Sequence, residues 1–338
     1  MPPLRLGVVG LNNQGRDHIE GAAGHPEVRL AAICDSAAHQ LANLRSDLDV
    51  ADDVAGFQDM EALFASGMID AAAICLPHHL HERAIDLAAT HGIHLLKEKP
   101  LGRTLREAHE FTARMRRAGL VLHTGVQRRH HPSYCALRRE LDARGGPRAV
   151  RSARLVMTVV PKERVPGGPR VVTWRGSYEQ AGGGVLIDLG YHGVDLVQYL
   201  LGPLELVSCL LWSDKGPQAA RTVEEDASVW ALAGSCWTHL RFGRATKKEE
   251  RIELDLGDGV LAANREGVWW TGEDGAVQLF ASERTWRDAM VGQLTSLSRA
   301  IHDGDLAPND LDTQVPALRF LEACYASFES EGLLGDER

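Results

Sequence analysis

The 338-residue sequence has no C-x-x-C pair, no internal repeat, no low-complexity segment and no apolar run long enough to span a bilayer. Its six cysteines (Cys34, Cys75, Cys135, Cys209, Cys236 and Cys324) are scattered, which indicates neither a zinc site nor a disulfide framework. Several sit inside apolar runs, where a reduced Cys behaves as a small hydrophobe. Positive charge is not in excess: 37 Lys and Arg against 46 Asp and Glu leave a net charge of −9. That balance gives no electrostatic reason to expect nucleic acid or an anionic membrane as partner. The N-terminus enters LRLGVVG without a charged n-region, a long apolar h-region or a cleavage site, so the expected location is cytoplasmic. What is present is the composition of an ordinary globular protein, 44% hydrophobic and 25% charged, with length for about two domains.

The first third alternates buried strands and helices. Strands are expected at Leu4–Val9, Val28–Cys34, Asp70–Leu76, His94–Glu98 and Leu120–Val126, with helices at about 14–23, 36–46, 58–66, 78–91 and 104–118. Runs rich in Val, Ile, Leu and Ala, each followed by a helix, are what an all-parallel sheet covered on both faces requires. The expected fold is a doubly wound α/β domain.

Its first turn, Gly10-Leu-Asn-Asn-Gln-Gly15, carries a nucleotide signal. Gly10 and Gly15 fill the first and third places of a dinucleotide-binding turn, for the bend and for helix–strand packing. Asn12 stands in the second place; Asn tolerates left-handed backbone, but its side chain takes space beside the phosphates. Asn13 and Gln14 complete the turn. Asp35 lies 20 residues beyond Gly15 at the end of the second strand, where a carboxylate accepts ribose hydroxyls and repels a 2′-phosphate. Ser36 and Ala37 follow with no Arg to receive that phosphate, so NAD is expected over NADP.

The segment 74–102 is the next signal. Pro77 ends a strand and opens a helix. His78, His79 and His81 lack the spacing of a helical metal pair and any Cys or carboxylate cluster, so no metal site is expected. Leu76, Pro77, His78 and His81 are instead expected at the cofactor edge, with the remaining histidine solvated. Glu98-Lys99-Pro100 falls at the carboxyl end of a strand, where open α/β sheets place their ligands. Lys99 there is a candidate active-site cation.

A third stretch, GGGVLIDLGYHGVDLVQYLLG at 182–202, reads as a buried helix interrupted by Asp188, His192 and Asp195. On an unbroken α-helix these lie within roughly 60° of one another. Two readings fit: a structural Asp–His pair stapling the core, or titratable groups at a cleft.

In order and spacing, Gly10 to Gly15, Asp35, Pro77 to His81, Glu98-Lys99-Pro100 and the 182–202 stretch resemble the Gfo/Idh/MocA oxidoreductases, relatives of glucose–fructose oxidoreductase and inositol 2-dehydrogenase. The resemblance runs from Leu4 to about Leu334. It implies a nicotinamide-binding Rossmann domain, 1–126, followed by a substrate and oligomerisation domain, 127–338, built on a large, mostly antiparallel sheet. It also implies a homodimer or homotetramer formed through that sheet. Gln127 and Arg128, at the domain crossover, are implied at the nicotinamide and substrate, whereas Arg129 reads as solvated. Trp174 and Arg175 resemble a family pair near the sugar pocket, a buried structural Trp being the other reading. The polar loop 161–170 suits a substrate-side lid or an intersubunit arm. From Glu205 to about Leu279, strands follow one another without helices, and two amphipathic helices, about 286–303 and 313–331, close the chain.

The roles carried over by resemblance are His192 as general base, Asp188 orienting it or sharing its proton, and Lys99 steadying the developing alkoxide. Lys99, Arg128, Trp174, Arg175, Asp188 and His192 are the expected substrate contacts, and Gly182 to Gly184 would let the helix end approach the cofactor. The expected activity is an NAD-dependent dehydrogenase acting on a ring hydroxyl of a sugar, cyclitol or related polyol. Two alternatives stay open: a glycoside-cleaving enzyme that uses NAD transiently, and a non-catalytic cofactor- or sugar-sensing regulator.

Overall fold

The computed structural model describes residues 2–48, 50–160, 173–213, 223–282, 286–304 and 314–333. The loop 161–170 lies outside the described residues. In chain order the elements begin β1 (Leu4–Val9), α1 (Asn13–Ala22), β2 (Val28–Cys34), α2 (Ala38–Asp47), β3 (Ala55–Phe57), α3 (Met60–Ala65) and β4 (Ala71–Ile74). They continue α4 (His81–His91), β5 (His94–Glu98), α5 (Leu105–Arg117) and β6 (Leu122–Gly125). Next come α6 (Pro132–Ala143), β7 (Ser152–Val159), α7 (Tyr178–Ala181), a π-helical turn at Leu186–Gly190, and α8 (Tyr191–Leu201). The strands β8 (Glu205–Trp212), β9 (Asp226–Ala233), β10 (Cys236–Arg244), β11 (Glu249–Asp255), β12 (Gly259–Asn264), β13 (Gly267–Gly272) and β14 (Gly275–Ala281) follow. Two helices, α9 (Trp286–Asp303) and α10 (Gln314–Leu333), complete the order.

The chain forms two compact units, Met1–His130 with Arg284–Val315, and His131–Glu283 with Pro316–Arg338. The first unit holds a six-stranded sheet of order β3-β2-β1-β4-β5-β6, parallel throughout, as the alternation of apolar runs with helices required. The order reverses between β1 and β4, so the carboxyl ends of these two strands flank the crevice where such sheets bind ligands. Strand β3, three residues long, is the one strand of this sheet that the apolar pattern did not predict. The chain returns to this unit for α9, which buries Leu294 and Leu297 in the same core as Leu6, Val8, Ile19 and Ile33. Helix α1 makes room for it at Gly21, where an added Cβ would sit 2.6 Å from Met290 Cβ.

The second unit holds an eight-stranded sheet of order β14-β13-β12-β11-β7-β10-β9-β8, antiparallel except where β7 pairs with β10. Strands β8 to β10 alternate buried and open residues, as expected of a sheet with one covered face. On the covered side, α8 comes close enough that a Cβ on Gly193 would lie 2.4 Å from the Phe242 ring and 2.5 Å from Leu155 Cδ2. Among the described residues, no helix is long and apolar enough to cross a membrane.

Candidate active site

In the first unit, the turn after β1 is shaped by two glycines. Gly10 has φ +87°, and a Cβ there would meet the Cys75 carbonyl at 2.5 Å. A Cβ on Gly15 would meet the Gly10 carbonyl at 2.0 Å. No side chain fits at either place, so the backbone curls tightly against the start of α1, whose N-terminal end favours an anion. Asn12 corrects the reason given for its tolerance: its φ is −73°, an extended conformation open to any residue, so no left-handed backbone is needed. Its Oδ1 accepts from Gln40 Nε2 on α2 at 3.2 Å. Asn13 beside it is exposed, and so is Ser36.

Asp35 braces this turn. Its Oδ2 accepts from the Leu11 N–H at 2.9 Å and its Oδ1 from the Ala37 N–H at 2.9 Å. Each oxygen keeps a second lone pair for a hydroxyl donor. Across the switch point, Leu76 and Pro77 lead from β4 into a single 3-10 turn at His78–Leu80. The His78 and His81 rings lie 5.8 Å apart, and both are buried. His81 uses both ring nitrogens inside the unit: Nε2 lies 3.0 Å from the Leu76 carbonyl and Nδ1 3.2 Å from Lys97 Nζ. His79 is less enclosed, and burial, then Arg103, holds its pKa below the usual histidine value.

Glu98 turns inward at the end of β5. Its Oε1 is bonded by His18 Nε2 at 3.0 Å and by Gln14 Nε2 at 3.3 Å. Gly125, at the end of neighbouring β6, leaves space for it: a Cβ there would come within 2.8 Å of Oε1. His18, wholly buried, was missed from the sequence; the available signal was its position four residues after Gln14 on the inner side of α1. Lys99 is half-buried in the turn that follows, and its peptide bond to Pro100 is cis.

After β6, Gln127 is fully enclosed, and neither its Nε2 nor its Oε1 has a hydrogen-bond partner among the described residues. Arg128, also buried, sits 5.6 Å from the centre of the Trp286 ring on α9. Trp286 in turn hydrogen-bonds Asp17, whose pKa burial raises. These residues fit a dinucleotide: a glycine cradle closed to any Cβ, a carboxylate aligned by backbone N–H groups, and a buried amide in want of partners.

In the second unit, the helix carrying Asp188 and His192 is not one regular α-helix. A π-helical turn at Leu186–Gly190 precedes α8, so the step from Asp188 to His192 crosses a junction and the stripe calculated for an unbroken helix does not apply. The start of this segment is capped from far along the chain. Glu224 Oε2 accepts from the Gly184 N–H at 2.8 Å, its Oε1 from the Leu186 N–H at 2.7 Å, and its backbone carbonyl from the Val185 N–H at 2.9 Å. Tyr325, on α10, completes the set: its hydroxyl donates to Glu224 Oε1 at 2.9 Å and accepts from the Ile187 N–H at 3.3 Å. Four successive N–H groups that a helix start leaves without intrahelical partners are thereby satisfied. Burial raises the Glu224 pKa, and the N–H groups facing it oppose the rise.

Two glycines of the triplet have a reason within the chain itself. A Cβ on Gly184 would lie 2.1 Å from the Glu224 carbonyl, and one on Gly183 would lie 2.3 Å from the Tyr325 hydroxyl. The space that Gly183 and Gly184 leave is filled by the chain's own Glu224 and Tyr325. Asp188 accepts from Arg175 Nε at 3.2 Å, and the Arg175 guanidinium stacks 4.3 Å from the centre of the Trp174 ring. The structure thus joins Trp174, Arg175 and Asp188 in one series. Trp174 is half-buried rather than a core residue, and His192 and Asp195 are both buried. No group of three or more His, Cys, Asp or Glu among the described residues is arranged to hold a metal ion.

Comparison with known proteins adds the following. The model of the oxidoreductase family with an NAD-binding Rossmann fold matches residues 4–126, and that of the GFO/IDH/MocA C-terminal domain matches residues 152–262. The rhizopine catabolism protein MocA of Rhizobium meliloti is 29% identical over 60% of this chain and 58% of its own length. The chain therefore matches less than two thirds of that relative. KijD10, a 3-ketoreductase from Actinomadura kijaniata solved with NADP and TDP-benzene, superposes with a TM-score of 0.80 at 20% identity, over 96% of this chain and 98% of that one. Levoglucosan dehydrogenase in complex with NADH gives 0.82 at 18% identity, covering 97% of each chain. At these identities the likeness establishes the fold alone.

Proposed function

The chain belongs to the Gfo/Idh/MocA oxidoreductase family, and from that premise we propose that it is an NAD(H)-dependent dehydrogenase. Its substrate class is a ring secondary hydroxyl of a sugar, cyclitol or related polyol, or the matching ketone in the reverse direction. The observation that carries this reading is the pairing of a Cβ-free cradle at Gly10 and Gly15 with Asp35, held by the Leu11 and Ala37 N–H groups. That carboxylate favours free ribose hydroxyls and repels a 2′-phosphate, which supports NAD over NADP.

When bound, the nicotinamide supplies the acceptor or donor of hydride. The remaining tasks fall to the chain. His192 takes the hydroxyl proton of an alcohol substrate and returns it to a ketone oxygen. The Lys99 ammonium steadies the negative charge that develops on that oxygen. Asp188, tied to Arg175, orients the imidazole, while Arg175, Trp174 and Arg128 hold polar groups of the substrate. Gln127 offers its enclosed amide to the cofactor end of the site.

The open face of β8 to β10 supports self-association. Leu210, Trp212, Trp230 and Trp237 are 64%, 54%, 43% and 51% exposed there, an apolar surface that a homodimer or homotetramer would cover. Working in a reducing cytoplasm agrees with six free thiols.

Turnover tests the reading. Purified protein supplied with NAD and a panel of sugars and cyclitols, or with NADH and the ketones, is expected to change nicotinamide absorbance on one chemical class. Lys99→Ala and His192→Ala should each lower kcat by about 10²–10⁴-fold. Cofactor binding with no turnover on any member of the panel would overturn the dehydrogenase in favour of a sensor. Release of a cleaved aglycone without net NADH would favour transient use of NAD.

A further inference from the structure

Lys97 is 0% exposed, yet none of the roles above uses it. It stands one residue before Glu98 in β5, in a run that reads as plain strand core. Its Nζ donates to the Glu98 carbonyl at 3.0 Å and to the Pro100 carbonyl, and lies 3.2 Å from His81 Nδ1. His81 Nε2 faces the Leu76 carbonyl, which only accepts, so the ring proton resides on Nε2 and Nδ1 is the acceptor for Lys97. Burial, and then the charge of Lys97, keeps the His81 pKa well below the usual value, so the ring stays in that neutral form. An ammonium has three N–H bonds, and these three acceptors lie within reach of this one.

Two of those acceptors belong to the residues on either side of Lys99. The third leads through the His81 ring to Leu76, where the chain leaves β4. A single side chain therefore joins the turns at the carboxyl ends of two adjacent strands, both within the first unit. An apolar side chain of the same length would fill the space without the desolvation penalty of an ammonium. What the ammonium adds is directed bonds to atoms that set the backbone around Lys99 and Leu76.

We propose that Lys97 is a positioning residue, whose buried ammonium clamps the Glu98–Pro100 turn to the Leu76–His81 segment and so fixes the backbone that presents Lys99 and receives the dinucleotide. This inference rests on the dinucleotide reading above.

NADH titration of the full chain, followed by fluorescence, tests it without knowledge of the substrate. Lys97→Met removes the charge and all three donors at nearly constant volume. At a temperature where circular dichroism shows it fully folded, its Kd for NADH is expected to rise about tenfold, or about 1.4 kcal/mol. Lys97→Arg, which retains a cation able to reach the same carbonyls, should recover most of that affinity. His81→Phe, which cuts only the link to Leu76, should raise Kd about threefold. A purely structural lysine would lower the melting temperature and leave Kd unchanged, and that result in Lys97→Met would overturn this inference alone. Should Lys97→Met fail to fold, wild-type affinity in both Lys97→Arg and His81→Phe would overturn it equally. Failure of the wild type to bind NADH would overturn the dinucleotide reading and this inference together.

Discussion

The two units hold their candidate reactive side chains with buried groups of opposite kind, a hydrogen-bond donor in one and an acceptor in the other. In the first, the Lys97 cation gathers the carbonyls of Glu98 and Pro100 around Lys99. In the second, the Glu224 carboxyl gathers the N–H groups of Gly184 and Leu186 at the start of the segment bearing Asp188 and His192. The difference follows from the backbone. A turn after a strand end presents carbonyl oxygens, whereas a helix start presents N–H groups and the positive end of its dipole. Whether a donor or an acceptor can complete each site is thereby dictated before any substrate is considered. The second arrangement also has a steric condition that the first lacks: Gly183 and Gly184 must be bare for Tyr325 and Glu224 to reach the helix.

Breaking the Glu224 side of this comparison should have the larger effect. Glu224→Ala strands buried N–H groups of the helix start and should destabilise the protein by about 3 kcal/mol or more. Urea unfolding measures this, and NADH affinity, which the proposed cofactor site assigns to the first unit, should be retained while turnover falls.

Acid should separate the two units in the next largest effect. His130 is held neutral by burial and by Arg129, with its pKa pushed down to about 4, and His81 is depressed in the same direction. The unfolded chain binds these protons from about pH 6.5 downward. Stability contributed by neutral His81 and His130 is therefore complete above about pH 6.5 and is lost as pH falls towards 4, by about 2 kcal/mol at pH 5 for His130 alone. Glu224 has the opposite sign: its pKa is raised, so its contribution is present below the ordinary glutamate value and is lost as pH rises through the raised one. Pulse proteolysis in urea at pH 7 and pH 5, with fragments assigned by mass, should show the first unit weakening selectively on acidification.

The smallest effect sharpens the comparison. Tyr325→Phe removes one hydroxyl that both donates to Glu224 and accepts from Ile187, and should cost about 1 kcal/mol in urea unfolding. Equal losses for Tyr325→Phe and Glu224→Ala would mean that the carboxylate itself contributes little.

What could be read from the sequence was set by local pattern. Continuous apolar runs announced the parallel strands, Gly10 and Gly15 announced a turn with no room for side chains, and Asp35 announced itself by spacing. Strand β3 escaped because three residues including a glycine carry no periodicity. The π-helical turn escaped because a buried, nearly all-apolar segment gives the same composition whatever its pitch. Lys97 and Glu224 escaped for a shared reason: most of their partners are backbone atoms, which every residue possesses. Those of Glu224 lie 38 and 40 residues away, with Tyr325 a further 101 in the other direction. Helix α9 showed an amphipathic face, but a face does not say which core it covers; Leu294 and Leu297 cover that of the first unit.

The most direct test of the central claim is a pair of binding isotherms for the wild-type chain, one with NADH and one with NADPH, followed by fluorescence at equal ionic strength. The account predicts saturable binding of both with NADH the tighter, because Asp35 receives ribose hydroxyls and repels a 2′-phosphate. Tighter binding of NADPH would contradict the role given to Asp35, and the absence of saturable binding by either would contradict the oxidoreductase itself.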